Sequence, residues 1–135
     1  MTNDRFELRP IATVESSLTD LAAAPKQGRE GGPDAWIVFD PDVLDALDGL
    51  QEGDELVVLT WLHQADRDVL KVHPRGDPAN PITGVFRTRA PMRPNPIGLH
   101  TVRVLELDGA RVKVSDLEAI DGTPVVDVKV ALRPD

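Results

Sequence analysis

Cysteine is absent from this chain, which excludes disulfides, thiolate zinc sites and a cysteine nucleophile. No apolar run approaches the roughly 20 residues that span a bilayer as a helix, and the polar N-terminus carries no signal-peptide pattern. A cytoplasmic protein without a membrane partner is the expectation. A strand–GxGxxG–helix unit is also missing, so neither a dinucleotide fold nor a Rossmann-type methyltransferase is supported. There is no P-loop and no HExxH, and His63, His73 and His100 are scattered rather than set at metal-ligand spacing, so no metal is expected. No serine has a recognisable set of catalytic partners. The 135 residues suffice for one domain, 1–135, with a core that needs no staples.

Positive charge is scarce as well. The formal net charge is −8, which argues against a protein that coats nucleic acid by general electrostatics. Its distribution is uneven: residues 36–68 hold nine acids and one base, whereas residues 69–103 hold six bases and one acid. The basic block is compatible with a phosphate-facing patch or with an internal counterweight to the acidic one.

Within that block, residues 84–99 (GVFRTRAPMRPNPIGL) gather three prolines and three arginines. Each proline fixes its own φ, lacks an N–H and pushes the preceding residue toward extended geometry, which predicts a stiff extended loop that is neither helix nor central strand. Such a loop loses little freedom on binding and would carry Arg87, Arg89 and Arg93 toward an anionic or carboxylate-bearing partner. A stiffened connection whose arginines merely face water fits the residues equally well.

The remaining elements read as short strands. Phe6 to Val14 is a first strand interrupted at Pro10, and Ala35 to Phe39 a second. Asp40 as N-cap, Pro41 as first helical residue and apolar Val43, Leu44, Leu47 and Leu50 on one face predict a short amphipathic helix ended by Gly49 or Gly53. Glu55 to Leu62 is the most strongly β-like run, apolar for long enough to be buried on nearly both faces, and it delivers His63 and Gln64 at its end. Lys71 to Pro81 reads as loop. His100 to Leu107, the Asp108-Gly109 turn and Ala110 to Val114 form a hairpin. Asp121-Gly122-Thr123-Pro124 is a turn by its own chemistry, followed by a strand over Val125 to Val130. About seven short strands, one helix and no βαβ alternation make a mainly β fold.

The run at 84–99, followed by residues 116–129 (DLEAIDGTPVVDVK), closely resembles the TsaA-like family. Its characterised members are S-adenosylmethionine-dependent tRNA methyltransferases of the TrmO type, which methylate N6 of N6-threonylcarbamoyladenosine at tRNA position 37. The resemblance implies a single-domain antiparallel β-barrel-like core with a covering helix, a symmetric homodimer, S-adenosyl-L-methionine as cofactor and tRNA as partner. It also nominates residues for the cofactor: Pro25, Lys26 and Gln27, where the family more often has arginine than lysine, then His63, Gln64, Phe86, Thr88, Arg89, Leu99, Asp121, Gly122, Thr123 and Pro124. Arg87, Arg93 and Asn95 are the implied substrate-side candidates, and His63 the candidate general base.

Two departures stand out. Lys129 is followed by Val130-Ala131-Leu132 where the family often has proline and an aromatic residue. Bacterial members that modify tRNA often carry a further C-terminal domain, and this sequence stops at Asp135. Methyl transfer to another RNA or a small molecule, a non-catalytic S-adenosylmethionine-binding module and a purely structural dimerisation domain are the alternatives. The last leaves the arginine–proline loop without a use.

Overall fold

The computed structural model describes residues 5–19 and 32–132. Its strands are β1 (Ala12–Glu15), β2 (Ala35–Phe39), β3 (Glu55–Trp61), β4 (Lys71–Val72), β5 (Thr83–Gly84), β6 (Ile97–Asp108), β7 (Arg111–Val114) and β8 (Pro124–Val130). Six of them pair antiparallel in the order β1–β2–β7–β6–β3–β8, and β8 pairs with β1 to close the ring into a barrel. Strands β4 and β5 form a separate two-stranded ribbon.

Alternation along the strands fills the interior. Ala12, Val14, Ala35, Ile37, Leu56, Val58, Val102, Val104, Val112, Val114 and Val125 point inward and are buried. A barrel of six strands is narrow, so alanine and β-branched valine dominate where a wider barrel would need larger side chains. Leu117 and Ala119, from the connection between β7 and β8, close one end of this core. The opposite face of β3 is half-buried rather than covered: Val57, Leu59 and Trp61 all keep solvent contact.

The structure shortens and shifts several expected elements. The first strand begins after Pro10, not at Phe6, since Ile11 is the first residue whose amide reaches β8, at the Val125 carbonyl. The helix after Asp40 forms where expected, over Pro41–Leu47, but it is a 3-10 helix. Its bonds run from Val43 to the Asp40 carbonyl and from Asp48 to the Asp45 carbonyl, the tighter pattern that short segments adopt. Asp48, ahead of both glycines, caps its end. Lys71 to Pro81 is not all loop, because β4 pairs with β5 and a 3-10 turn covers Pro74–Gly76. The arginine–proline segment likewise opens on a single 3-10 turn, Val85–Arg87, and ends in β6 from Ile97 onward.

Topology decides what gathers where. In an antiparallel barrel, successive connections alternate between the two rims. The pairings Trp61↔Ile97, Thr60↔Val125, Thr13↔Pro124 and Ala35↔Val114 put on one rim the end of β1, the start of β2, the end of β3, the start of β6, the end of β7 and the start of β8. The opposite rim carries the 3-10 helix and the Asp108-Gly109 turn. Every segment with a nominated residue among those described therefore leaves the first rim.

Candidate functional site

Among the described residues, three pieces of chain carry the nominated residues of this rim. The first is the turn after β3, where His63 and Gln64 are both exposed. The second is the arginine–proline loop. Val85 is buried and its amide bonds the Leu70 carbonyl, which anchors the loop to the strand ribbon. The Val85 carbonyl then accepts from the Thr88 amide (3.0 Å), from Thr88 Oγ1 (2.8 Å) and from Arg93 Nη2 (2.8 Å).

Arg93 is the loop's internal staple. Its Nη2 also donates to the Thr88 carbonyl at 2.6 Å and its Nε to the Ala90 carbonyl at 2.8 Å, while its amide reaches the Asp66 carbonyl. The expectation that three arginines project toward a partner is therefore corrected for this one: Arg87 and Arg89 are exposed, whereas the half-buried Arg93 turns inward and its Nε and Nη2 are spent on the loop. The same turn lifts Phe86 into solvent, 83% exposed. Thr88 is not free either, since its hydroxyl donates to Val85 and accepts from the Ala90 amide.

The proline end of the loop is held from outside by a residue the sequence reading passed over. Arg67 Nε donates to the Pro94 carbonyl at 2.7 Å and Nη2 to Asn95 Oδ1 at 3.0 Å, and its guanidinium lies 5.1 Å from the centroid of the Trp61 ring. Its signal was present as the single base of the acidic block. Asn95 is thus engaged within the rim, and Leu99 follows on β6 with its side chain partly exposed.

The third piece is the turn at Asp121–Pro124. Asp121 is exposed, and its Oδ1 accepts from the Ser16 amide at 3.1 Å. Gly122 adopts φ +85°, a conformation an L side chain resists, and its amide bonds the Val14 carbonyl. Thr123 is buried, its hydroxyl donating to the Ile120 carbonyl, so its side chain shapes the turn rather than facing a ligand. Asp121 also lines an open groove of about 570 Å³ with Ser16, Asp34, Trp36 and Lys113. Pro25, Lys26 and Gln27 lie outside the described residues.

Beneath the rim sit two buried polar side chains, Thr60 and His100, and the half-buried Glu118, which the sequence reading left unconnected. Thr60 Oγ1 and His100 Nε2 are 2.8 Å apart, and His100 Nδ1 lies 3.4 Å from Glu118 Oε1. Among the described residues no cluster of His, Asp and Glu could hold a metal ion.

The exposed side chains of the rim form a donor set with a recognisable chemistry. A guanidinium (Arg89) suits a carboxylate, a carboxylate (Asp121) suits ribose hydroxyls or an amine, and exposed apolar surface (Phe86, Leu99) suits a flat heterocycle.

A family model described as the tRNA-methyltransferase O N-terminal domain matches residues 13–133. A relative from Methanothermobacter thermautotrophicus, named a probable S-adenosyl-L-methionine-binding protein, is 44% identical over 129 residues, covering 96% of this chain and 92% of its own length. An S-adenosyl-L-methionine-binding protein from Archaeoglobus fulgidus is 41% identical over 122 residues, covering 90% of this chain and 86% of its own. Among solved structures, TrmO from Pseudomonas aeruginosa is similar with a TM-score of 0.77 at 27% identity, over 96% of this chain and 57% of that one. This chain therefore spans little more than half of that structure's length.

Proposed function

Because this chain belongs to the tRNA-methyltransferase O N-terminal domain family, we propose that it is an S-adenosyl-L-methionine-dependent methyltransferase acting on N6 of N6-threonylcarbamoyladenosine at position 37 of tRNA. The observation that supports the reading is that the segments bearing the exposed Arg89, Leu99, Asp121, His63 and Gln64 all leave the same rim of the barrel. S-adenosyl-L-methionine, when bound, supplies an electrophilic methyl group together with its own leaving group, so the chain needs neither a metal nor a covalent nucleophile.

Each residue then has a task. Arg89 pairs with a carboxylate by two parallel bonds, while Asp121 accepts from sugar hydroxyls and Leu99 and Phe86 cover the base. Gly122, Thr123 and Pro124 fix the turn that presents Asp121. The acceptor nitrogen is conjugated to a carbonyl and weakly nucleophilic, and His63 takes up the proton that it loses. Arg87 meets tRNA phosphate, and Asn95, Pro94 and Arg93 hold the loop's outline. Pairing with a second copy would cover the half-open outer face formed by Val57, Leu59, Trp61 and Ile97.

The test is transfer of labelled methyl from S-adenosyl-L-methionine to two tRNAs, one carrying N6-threonylcarbamoyladenosine at position 37 and one carrying plain adenosine. The reading expects label in the first alone, and equal or no label in both contradicts it. A second reading, a binding module that does not transfer the methyl group, is favoured by the acidic net charge of −8 and by relatives whose names state binding only. It predicts cofactor binding with no labelled RNA.

A further inference from the structure

We infer that Thr60, His100 and Glu118 form a positioning network that sets the geometry of the cofactor-binding rim, an inference that rests on the reading of that rim given above. Each member belongs to a different rim segment. Thr60 is the penultimate residue of β3, four positions before Gln64. His100 follows Leu99 on β6. Glu118 stands three residues before Asp121, on the connection that closes the barrel end.

One contact is a short buried hydrogen bond and the other a longer charge contact at the edge of the core. Thr60 is fully buried and His100 is 5% exposed, with Thr60 Oγ1 to His100 Nε2 at 2.8 Å. Glu118 reaches in from the side, Oε1 standing 3.4 Å from His100 Nδ1. Thr60 is in register with Gly98 on one side and with Val125 on the other, so it touches the start of β6 and the start of β8 together. Gly98 is fitted against the pair: a Cβ there would lie 2.4 Å from Thr60 Oγ1 and 2.7 Å from His100 Nε2.

A barrel this narrow fills most of its interior with alanine and valine, and a polar triad costs desolvation wherever it sits. Buried polar side chains bond at fixed distances and angles, whereas valines slide, so the network defines the offset between the three segments more tightly than apolar packing does. It lies next to Leu99 along β6 and beside the start of β8, which the Asp121–Pro124 turn leads into. His100 Nδ1 and Glu118 Oε2 are buried without a hydrogen-bond partner among the described residues, so the hydroxyl–imidazole contact is the hydrogen bond that fixes the network and Glu118 adds a longer charge contact.

The experiment compares Thr60→Val, which keeps the shape and removes the hydroxyl, with Thr60→Ser, which keeps the hydroxyl. Affinity for S-adenosyl-L-methionine is measured by calorimetry and local opening by amide exchange. Thr60→Val weakens cofactor binding on the order of tenfold, the scale of one lost hydrogen bond, while Thr60→Ser restores it. In Thr60→Val the Asp121 and Gly122 amides, which bond the Leu18 and Val14 carbonyls, exchange faster, whereas the Phe39 amide, bonded to Ala110 at the opposite rim, does not change. Unaltered affinity in Thr60→Val with unaltered exchange at Asp121 and Gly122 overturns the inference, as does a uniform acceleration of all three amides, which would mark Thr60 as core filler. A wild-type protein that binds no cofactor overturns the reading of the rim instead, and the exchange pattern then decides the network alone. Glu118→Gln provides the second arm: it keeps the shape, and the same localised acceleration is expected.

Discussion

Arg93 Nη2 meets the Val85 carbonyl at 2.8 Å, closing the arginine–proline loop on itself across eight residues. Three backbone carbonyls depend on this one guanidinium. Replacing Arg93 with lysine leaves at most one point donor for a job done by a planar fork. The expected cost of Arg93→Lys is about 1–3 kcal/mol of folding stability, the range for stranding partly buried hydrogen-bonding groups, read from urea denaturation. A change within experimental error would show that the loop is held by its prolines alone.

Gly98 admits no side chain. With the neighbouring Thr60 oxygen 2.4 Å from an added Cβ and the His100 ring nitrogen at 2.7 Å, Gly98→Ala forces two buried side chains off their positions. Overpacking of this kind costs about 1–3 kcal/mol. Thermal unfolding of Gly98→Ala alone and combined with Thr60→Ala, which deletes the contacting oxygen, checks it, and a double variant as unstable as the sum of the singles would deny the contact.

Arg67 acts on the loop from an exposed position, so its removal shows in mobility more than in stability. Arg67→Ala is expected to cost under about 1 kcal/mol, the value of an exposed cation–π contact, while the Ile97 amide, bonded to the Asn95 carbonyl, exchanges faster. Unchanged exchange there would mean that the Pro94 and Asn95 contacts contribute nothing.

At Gly122, φ +85° makes any side chain strained. Gly122→Ala is expected to lose about 1 kcal/mol of stability and to weaken cofactor binding, because the turn that presents Asp121 must distort. Retained stability and affinity would show that the turn tolerates another backbone path.

Much of this architecture was legible in residue alternation. Ala35–Phe39 matched residue for residue, and Asp40-Pro41 marked the helix start, where the Asp40 carboxylate accepts from the Asp42 amide. Helix type escaped because seven residues with two half-buried apolar side chains, Val43 and Leu47, give too little purchase for a second α-turn. The turn at Val85–Arg87 escaped because proline restrains only itself and its predecessor, and Pro91 lies beyond reach. Two-residue strands such as β4 and β5 have no period to detect.

For the site, family motifs named the rim residues, yet a motif does not say which arginine turns inward. That depended on carbonyls up to eight residues away. The buried Thr60–His100 pair, by contrast, was readable in principle: Thr60 shares the inward parity of Leu56 and Val58, and His100 that of Val102 and Val104. A polar residue at an inward position of a strand asks for a partner, and here each is the other's.

The central claim is that this rim binds S-adenosyl-L-methionine through Arg89. Calorimetric titration of the wild-type protein and of Arg89→Ala tests it most directly. The account predicts micromolar binding, about −8 kcal/mol, that is lost or much weakened in Arg89→Ala while the protein remains folded. Equal affinity in both proteins would remove Arg89 from the site, and no binding by the wild type would contradict the account as a whole.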